Sequence, residues 1–336
     1  MSRFEETGPA NPVTISTRVD KVSPRAKVLK ALRVILVIAI ALIMLIPVFI
    51  MGMTALKSRS DAVSVPPKVF FEPTLEGFVF LLTERSLIVP DMLEETKAAV
   101  EAGELELSFM DRIALDIGQH ITGPSDYVDR LKNSIIIAGI STILSVILAV
   151  FAAYAFSRFA IKGEGDLLFY ILSQRMLPAV VVTIPLFLMF RQVGLHDTYL
   201  GMILLYTVFN LSLAVWLMKG FIDEIPIEYE EAALVDGYSR LQVFYKIVLP
   251  QAITGIAATT VFCLIFAWNE YAFALMLTSE TARTAPPSLA TFQGRGGIEW
   301  AAIAAGSLFF LLPVVIVTFA LRNYLLRGVT FGAVRK

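Results

Sequence analysis

Three adjacent side chains inside a long apolar segment could take part in binding chemistry: Trp268, Asn269 and Glu270. Together they offer an aromatic face, an amide and a carboxylate, groups suited to the apolar ring face and the hydroxyls of a sugar. Polar groups inside membrane-length segments are costly and usually face a cavity or a partner. These three residues and Asn210 are therefore candidates for a solute path. Two alternatives stay open, because Trp268 can belong to an interfacial aromatic belt and Asn210 can bond a neighbouring helix.

Arg175 is a further charged residue within an apolar segment, about two turns from its predicted cytoplasmic end. Snorkelling to the interface or a structural pair is the preferred interpretation. Contact with a solute is the alternative.

The segment 228–251 is charged although it lies between two strongly apolar stretches. Pro226 can begin a helix there, early carboxylates complement the positive end of the helix dipole, and Gly237 permits a bend. The pattern predicts a helix, a glycine bend and a second helix ending at Pro250. A helix lying on lipid is typically rich in Lys and Arg, so the acidic first half favours docking to a protein. The charged residues are Glu228, Glu230, Glu231, Asp236, Arg240 and Lys246.

Catalytic, metal-binding and cofactor-binding chemistry find little support in the sequence. Cys263 is the single cysteine, which excludes an intrachain disulfide and a thiolate metal site and suggests a small buried residue. His120 and His196 are isolated, so no metal site is expected. The stretch "GRGG" at 294–297 lacks the ending of a P-loop, and no Walker motif is present. The chain is expected to bind no cofactor and not to be an enzyme.

The composition points to a membrane. Hydrophobic residues make up 57% of the chain, against about 45–50% in soluble domains. The net charge of −1 argues against nucleic-acid binding. A helix needs about 20 apolar residues to cross a bilayer, and six segments qualify: 32–55, 134–157, 168–190, 199–221, 252–277 and 301–324.

Backbone polar groups must be satisfied internally in hydrocarbon, so the predicted fold class is an all-α membrane protein of six transmembrane helices. Pro178 and Pro185 predict a kink or break in the third segment. The first segment is too long for the apolar part of a signal peptide and is expected to remain as an anchor. Its preceding polar tail, the second connection and the C-terminal tail are rich in Lys and Arg. This predicts that both termini and the segment 228–251 are cytoplasmic.

The remaining polar region, 58–130, is then extracytoplasmic. Pro90 and Asp91 begin, and Gly103 follows, a short predicted helix. The region is too small for an independent enzyme domain and is expected to form a cap or a docking surface.

The stretch "EEAALVDGYSRLQVFYKIVLP" at 230–250 closely resembles the EAA loop of permease subunits in binding-protein-dependent ATP-binding cassette (ABC) importers. The resemblance implies that it is a coupling helix that fits a cleft on a cytoplasmic ATPase subunit. Glu231 would contact that subunit, and Gly237 would let two half-helices fold over. The predicted coupling residues are Glu231, Ala232, Ala233, Asp236, Gly237, Ile247, Leu249 and Pro250.

Weaker likenesses point to the carbohydrate branch of these importers, the maltose-type permeases. They are the stretches 131–159, 185–204, "AWNEYAFALML" at 267–277, and the tail "LLRGVTFGAVRK". The resemblance implies import of a carbohydrate, polyol or related solute, driven by ATP hydrolysis on a separate subunit. The implied partners are an ATPase dimer carrying ATP and Mg, a second homologous permease, an extracytoplasmic solute-binding protein and membrane lipid.

The resemblance also makes predictions about the extracytoplasmic side of a bacterial inner membrane. The connection holding Gly294, Arg295, Gly296 and Gly297 is a candidate for contact with the binding protein. The region 58–130 is usually shorter in similar permeases, so 86–124 is expected to be extra material that contacts a partner or covers the pore mouth.

The predicted organisation is a cytoplasmic tail (1–31), a first transmembrane helix (32–57), the extracytoplasmic segment (58–130), a permease core (131–326) with the EAA loop at 225–250, and a second tail (327–336). An ion-coupled secondary transporter is the alternative function. It would need ion-coordinating carboxylates near mid-membrane. Only Glu270 approaches this, and the EAA loop would be unexplained.

Overall fold

The computed structural model describes residues 24–290, 292–294 and 297–333. The described chain is mostly helical, with two short two-stranded sheets. In the first half, the elements are α1 (Pro24–Ala55), α2 (Arg59–Ala62), α3 (Glu76–Leu82), β1 (Thr83–Leu87), α4 (Pro90–Glu101), α5 (Phe109–Asp116), β2 (Gln119–Pro124) and α6 (Tyr127–Arg158). The second half contains α7 (Glu164–Ser173), α8 (Ala179–Gln192), α9 (Tyr199–Asp223), α10 (Glu228–Val235), α11 (Arg240–Val243), α12 (Leu249–Gln251), α13 (Ile253–Trp268), α14 (Ala272–Leu277), α15 (Ala285–Ala290), β3 (Gln293–Gly294), β4 (Gly297–Ile298) and α16 (Trp300–Ala333).

Four described helices are long and apolar enough to cross a membrane: Val28–Ala55, Tyr127–Arg158, Tyr199–Asp223 and Trp300–Tyr324. Two further candidates are bent pairs. Glu164–Met176 meets Ala179–Gln192 at 92°, and Arg240–Gln251 meets Ile253–Trp268 at 72°. Counting each pair as one span gives up to six, in agreement with the predicted fold class. The third and fifth segments are not straight helices.

The two prolines of the third segment behave differently. Pro178 precedes α8 as its N-cap, and Leu177 before it is extended, as the residue before a proline tends to be. The predicted break is confirmed there. A break at Pro185 is wrong, because α8 continues through that residue.

The fifth segment is also broken near its end. The helix α13 ends at Trp268, and α14 begins only at Ala272. A single helix over 252–277 is therefore wrong. The carboxylate of Glu270 accepts the backbone N–H groups of Phe273 and Ala274, so it caps the new helix.

The chain divides into two compact units, Met1–Ile50 and the residues from Met51 onward. In the second unit, three buried apolar clusters follow α6 along its length. One surrounds Val150 near the C-terminal end, the second surrounds Ile137, and the third surrounds Tyr127 at the N-terminal end. The helix α6 thus joins the two ends of the bundle.

The residues expected to be extra material form one excursion at the N-terminal end of α6. The predicted helix at Pro90 is confirmed as α4, and Gly103 after it has a φ of +77°. Strands β1 and β2 pair antiparallel from Thr83 opposite Pro124 to Leu87 opposite Gln119, which closes the excursion. The helix α4 buries no residue, whereas α5 buries Ala114 and Leu115.

Candidate functional site

The segment 228–251 folds as a helical hairpin, as predicted. The helix α10 ends at Val235, and Gly237 then adopts a φ of +89°, a left-handed conformation that favours glycine. The N–H of Tyr238 donates to the carbonyl of Ala233 at 3.0 Å and closes the bend. Ser239 and its capping box with Gln242 begin α11. A five-residue π-helical turn (Phe244–Val248) connects α11 to α12.

The hairpin 228–251 is called the coupling hairpin after its predicted role, and its outer face combines acidic and apolar groups. Val235 at the tip of α10 is 88% exposed, and Tyr229 and Leu241 are also exposed. Glu231 and Asp236 share this exposed surface. Such a face suits a partner that offers basic groups and an apolar recess.

One acidic residue of α10 points the other way. Glu230 is 1% exposed, and its Oε1 lies 2.5 Å from Nε of Arg158 at the end of α6. Tyr154 donates its hydroxyl to Oε2 of Glu230 at 3.1 Å. Arg158 also donates to the carbonyl of Ile222 in the last turn of α9 and to that of Ile225 just after this helix. The interpretation that the charges of this segment face a partner is therefore wrong for Glu230, which anchors the hairpin to α6 and α9.

The second half of the hairpin holds it against the bundle. Phe244 and Val248 are buried, and Ile247 and Leu249 are half-buried against the same apolar cluster. Leu241 precedes Phe244 and Val248 by three and seven residues, as expected for one apolar helix face, but its side chain is exposed. The Ile-x-Leu-Pro part of the loop thus lies mainly in packing contacts, and the exposed surface is concentrated around α10 and the bend.

A second feature is a cavity of about 380 Å³ between α8, α9 and α13. Its polar lining residues are Arg175, Tyr206, Asn210 and Glu270, and its aromatic lining residues include Phe209, Phe266 and Phe273. Asn210 lies 11 residues from the first residue of α9 and 13 from the last, since α9 runs from Tyr199 to Asp223. The cavity is therefore near the middle of that span. Its size falls within the range of small-molecule sites.

The carboxylate of Glu270 is held in place from several directions. Tyr206 donates to its Oε2 at 2.8 Å, and the two N–H groups of α14 donate at 2.8 and 3.0 Å. The break between α13 and α14 turns this side chain toward the cavity. Glu270 and Asn210, both candidates for the solute path, line the same cavity.

Arg175 also lines this cavity, from the 3₁₀ turn that precedes Pro178. Its Nη2 is 3.3 Å from Oδ1 of Asn210, and its guanidinium lies 4.3 Å from the ring centre of Phe266. These contacts agree with a structural pair, one of the two preferred interpretations. Asn210 also donates to the carbonyl of Cys263 at 3.1 Å, as the interhelical alternative predicted. Cys263 itself is buried, as expected.

The other two candidates for the solute path do not line this cavity. Trp268 is 4% exposed, stacks on Phe310 and donates its indole N–H to the carbonyl of that residue at 3.1 Å. It belongs to the packed core rather than to an interfacial belt. Asn269 is exposed and donates back to Ile265 in its own helix.

The candidate loop for contact with a binding protein is described only in part. Gly294 and Gly297 pair across β3 and β4, and Gly297 has a φ of +109°. Arg295 and Gly296 lie outside the described residues. Among the described residues, no group of three or more His, Cys, Asp or Glu side chains could hold a metal ion.

Sequence reasoning missed Asp197, which joins the connection before α9 to the loop after α14. Its carboxylate accepts the backbone N–H groups of four consecutive residues, Ser279 to Ala282, at 3.0–3.1 Å. Its own φ is +53°, which is uncommon for a residue with a Cβ. An aspartate after Gly-Leu-His could have suggested a turn, but the sequence carries no sign of the partner loop.

The hairpin, the bent spans and the central cavity belong to a chain with up to six candidate membrane spans. Residues 145–331 match the family described as "Binding-protein-dependent transport system inner membrane component". The match covers more than half of the chain, which therefore belongs to this family and is a multi-pass permease subunit of an ABC importer.

Related proteins agree with this assignment. The chain is 31% identical over 296 residues to the probable ABC transporter permease protein y4oR of Sinorhizobium fredii, covering 88% of this chain and 92% of the relative. It is 37% identical over 212 residues to the trehalose transport system permease protein SugB of Mycobacterium tuberculosis, covering 62% and 77%. It is 34% identical over 207 residues to the trehalose/maltose transport system permease protein MalG of Thermococcus litoralis, covering 61% and 74%.

The fold has a counterpart among solved structures. A chain of a bacterial ABC transporter involved in the import of the acidic polysaccharide alginate superposes with a TM-score of 0.60. The likeness covers 90% of this chain and 98% of the other at 20% identity, and it concerns the fold.

Proposed function

We propose that this permease pairs with a second, homologous permease to form the solute path of an ATP-driven importer of a carbohydrate or polyol. The anchored coupling hairpin is the observation that carries the proposal. Its exposed acidic and apolar face suits docking, and its buried ion pair ties that face to the two central helices.

Coupling follows from this anchorage. A displacement of α10 by an ATPase subunit would be passed to α6 and α9 through Arg158, because Glu230, Ile222 and Ile225 all bond to that one guanidinium. The helix α9 carries Tyr206 and Asn210 into the central cavity. Movement of α9 would therefore change the polar wall of the cavity. Transport requires such a change, since a solute can be moved only if its affinity differs between the two states.

The solute class is inferred from two sources. The relatives SugB and MalG are described as trehalose and trehalose/maltose permeases. The central cavity offers hydrogen-bonding groups beside phenylalanine rings, a combination that suits sugar hydroxyls and sugar ring faces. An extracytoplasmic binding protein would deliver the solute, and ATP and Mg would be bound by the ATPase dimer.

The orientation belongs to the same proposal. Docking to a cytoplasmic ATPase places the coupling hairpin and both termini in the cytoplasm, and the excursion carrying α4 outside. Cysteine substitution at two exposed positions, Val235→Cys and Ala102→Cys, tests this with a membrane-impermeant maleimide on intact cells. We expect labelling of Ala102→Cys only, and labelling of Val235→Cys alone would reverse the orientation.

The proposed function is tested by purifying the tagged chain in mild detergent and identifying its partners by mass. An ATPase, a second permease and a binding protein are expected. ATP-dependent uptake of labelled trehalose and maltose by proteoliposomes then tests the solute class. Val235→Asp should lose the ATPase subunit, whereas Ala102→Asp, an equally exposed change at the other end, should keep it. A chain that purifies alone from intact membranes at several detergent strengths would contradict the proposal.

A further inference from the structure

A second polar cavity lies at the end of the bundle opposite the coupling hairpin. It has a volume of about 560 Å³ and is enclosed by β1, β2, the start of α6 and the chain around α15. Arg130 of α6 lines it, whereas Arg158 of the same helix contacts Glu230. These residues are 28 positions apart, which corresponds to about 42 Å along a helix. This outer cavity is therefore far from the coupling hairpin, and it shares no lining residue with the central cavity. It faces the extracytoplasmic side in the proposed orientation.

Arg85 in the wall of the outer cavity has unused hydrogen-bonding capacity. It donates from Nε to Oε1 of Gln119 at 3.0 Å, and its guanidinium lies 3.6 Å from the ring centre of Phe80. Its Nη1 is buried and has no hydrogen-bond partner among the residues that the structure describes. Burial lowers the pKa of Arg85 to about 10, although nearby carboxylates oppose this. The side chain is thus a largely desolvated donor.

Glu299, which lines the same cavity, has an acceptor oxygen without a described donor. It is 2% exposed, and its Oε1 lies 3.5 Å from Nε of Arg59. Its Oε2 is buried, and no described residue forms a hydrogen bond with it. Among the described ion pairs, Arg85 and Glu299 do not join each other. Unpaired buried polar atoms are uncommon and costly, so a donor and an acceptor at one cavity indicate a ligand that serves both.

The chemistry of the wall indicates the class of ligand. A hydroxyl both donates and accepts, so neighbouring hydroxyls of one molecule can accept from Arg85 and donate to Glu299. Three arginines and four carboxylates line the cavity, so it presents no strong excess of either charge. Phe292 supplies an apolar surface beside them. The charged lining residues are Arg85, Arg130, Arg283, Glu84, Asp126, Glu280 and Glu299.

We propose that the outer cavity is a binding site for a neutral polyhydroxylated solute, which it holds before the solute enters the central cavity. The inference rests on the proposed carbohydrate function and adds a second site to it. The excursion supplies one wall through β1 and β2, which gives these residues a role beyond covering the pore mouth.

Equilibrium binding tests the outer site directly. The purified complex of permeases and ATPase is placed in nanodiscs without its binding protein, and binding of radiolabelled trehalose, maltose, sorbitol and glycerol is measured. We expect saturable binding of at least one probe. Glu299→Gln should weaken it at least tenfold, because a charge-assisted hydrogen bond is replaced by a neutral one. Absence of binding by all four probes would mean that the cavity holds only water, and would overturn the proposal.

Glu299 is buried beside other charges, so a second variant separates binding from folding. Thr122 is an exposed residue at the rim of the cavity, and Thr122→Trp should block it and abolish probe binding. Glu104→Trp is the matched control, because Glu104 is exposed on the same excursion and lies outside the cavity wall. Equal binding by these two variants would overturn the outer site. The proposed function has a separate test. It would be refuted if the wild-type system with its binding protein showed no ATP-dependent uptake, whatever the result for the outer site.

Discussion

The buried pair of Glu230 and Arg158 gives the sharpest prediction about coupling. Glu230→Ala removes the carboxylate that lies 2.5 Å from Nε of Arg158 and accepts the hydroxyl of Tyr154. The Arg158 side chain is 6% exposed, so water cannot replace the lost partner fully. Two carbonyls remain bonded to the guanidinium, but its charge is no longer compensated.

The expected size of the effect follows from this burial. Removing one partner of a buried ion pair costs about 3–5 kcal/mol, because the other charge stays buried. A loss of 3 kcal/mol changes an equilibrium by more than about a hundredfold. Replacing both residues by apolar ones of similar volume is often nearly neutral. The double variant Glu230→Leu, Arg158→Met should therefore recover much of the stability but should not restore coupled transport.

Thermal unfolding of the purified permease in one detergent measures stability. ATP-dependent uptake by proteoliposomes measures coupled transport, and co-purification of the ATPase subunit measures docking. Glu231→Ala is the matched control, since Glu231 is the next residue and is exposed. A surface change of this kind alters stability by about 0.5 kcal/mol or less. Glu231→Ala should therefore unfold like the wild type but bind the ATPase less well.

The reasoning would be refuted if Glu230→Ala and Glu231→Ala unfolded at the same temperature as the wild type. The double variant should also be no less stable than Glu230→Leu or Arg158→Met alone. A lower stability would contradict the reasoning, because the two losses would then be independent rather than shared.

Three further predictions concern the bend, the excursion and the Asp197 link. Gly237→Val should abolish coupled uptake, because a φ of +89° strains a β-branched residue by about 1–2 kcal/mol even though open space surrounds the position. Gly220→Val, also in open space but without a positive φ, is the control. Wild-type uptake by Gly237→Val would contradict a role of the bend in coupling. Replacing 90–104 by a short Gly-Ser linker should keep the ATPase subunit, since α4 buries no residue, and loss of that subunit on co-purification would make α4 part of the core. Burial raises the pKa of Asp197, but four backbone N–H donors outweigh this and hold it below its ordinary value of 3.8. The stabilisation of the fold by ionised Asp197 is therefore complete above pH 3.8. It is lost as the pH falls through the lower pKa that Asp197 has in the folded protein. Asp197→Ala should lower the unfolding temperature at pH 7 and have less effect below pH 3.8, and an equal deficit at both pH values would contradict a role for the charge.

Local patterns were sufficient for much of the architecture. Four of the six spans, the break at Pro178 and the glycine bend depend on hydropathy and backbone geometry over a few residues, and these agree with the structure. The coupling hairpin could be recognised for the same reason, because its helix, bend and second helix are encoded within 228–251. The predicted roles of Ile247 and Leu249 in this loop concern a partner and remain predictions, although their packing in the bundle is now defined.

The sequence by itself determined an apolar, multi-helical membrane chain with one charged hairpin of the importer type. Only the tertiary structure decided which polar side chains face inward. Glu230 and Glu231 are neighbours of identical type, yet one is buried because Arg158, 72 residues earlier, lies against its face of α10. Trp268 and Glu270 are separated by one residue, yet the break after α13 leaves the indole in the core and turns the carboxylate to the cavity. Such choices depend on contacts between distant helices, and hydropathy averaged along one segment contains no information about them.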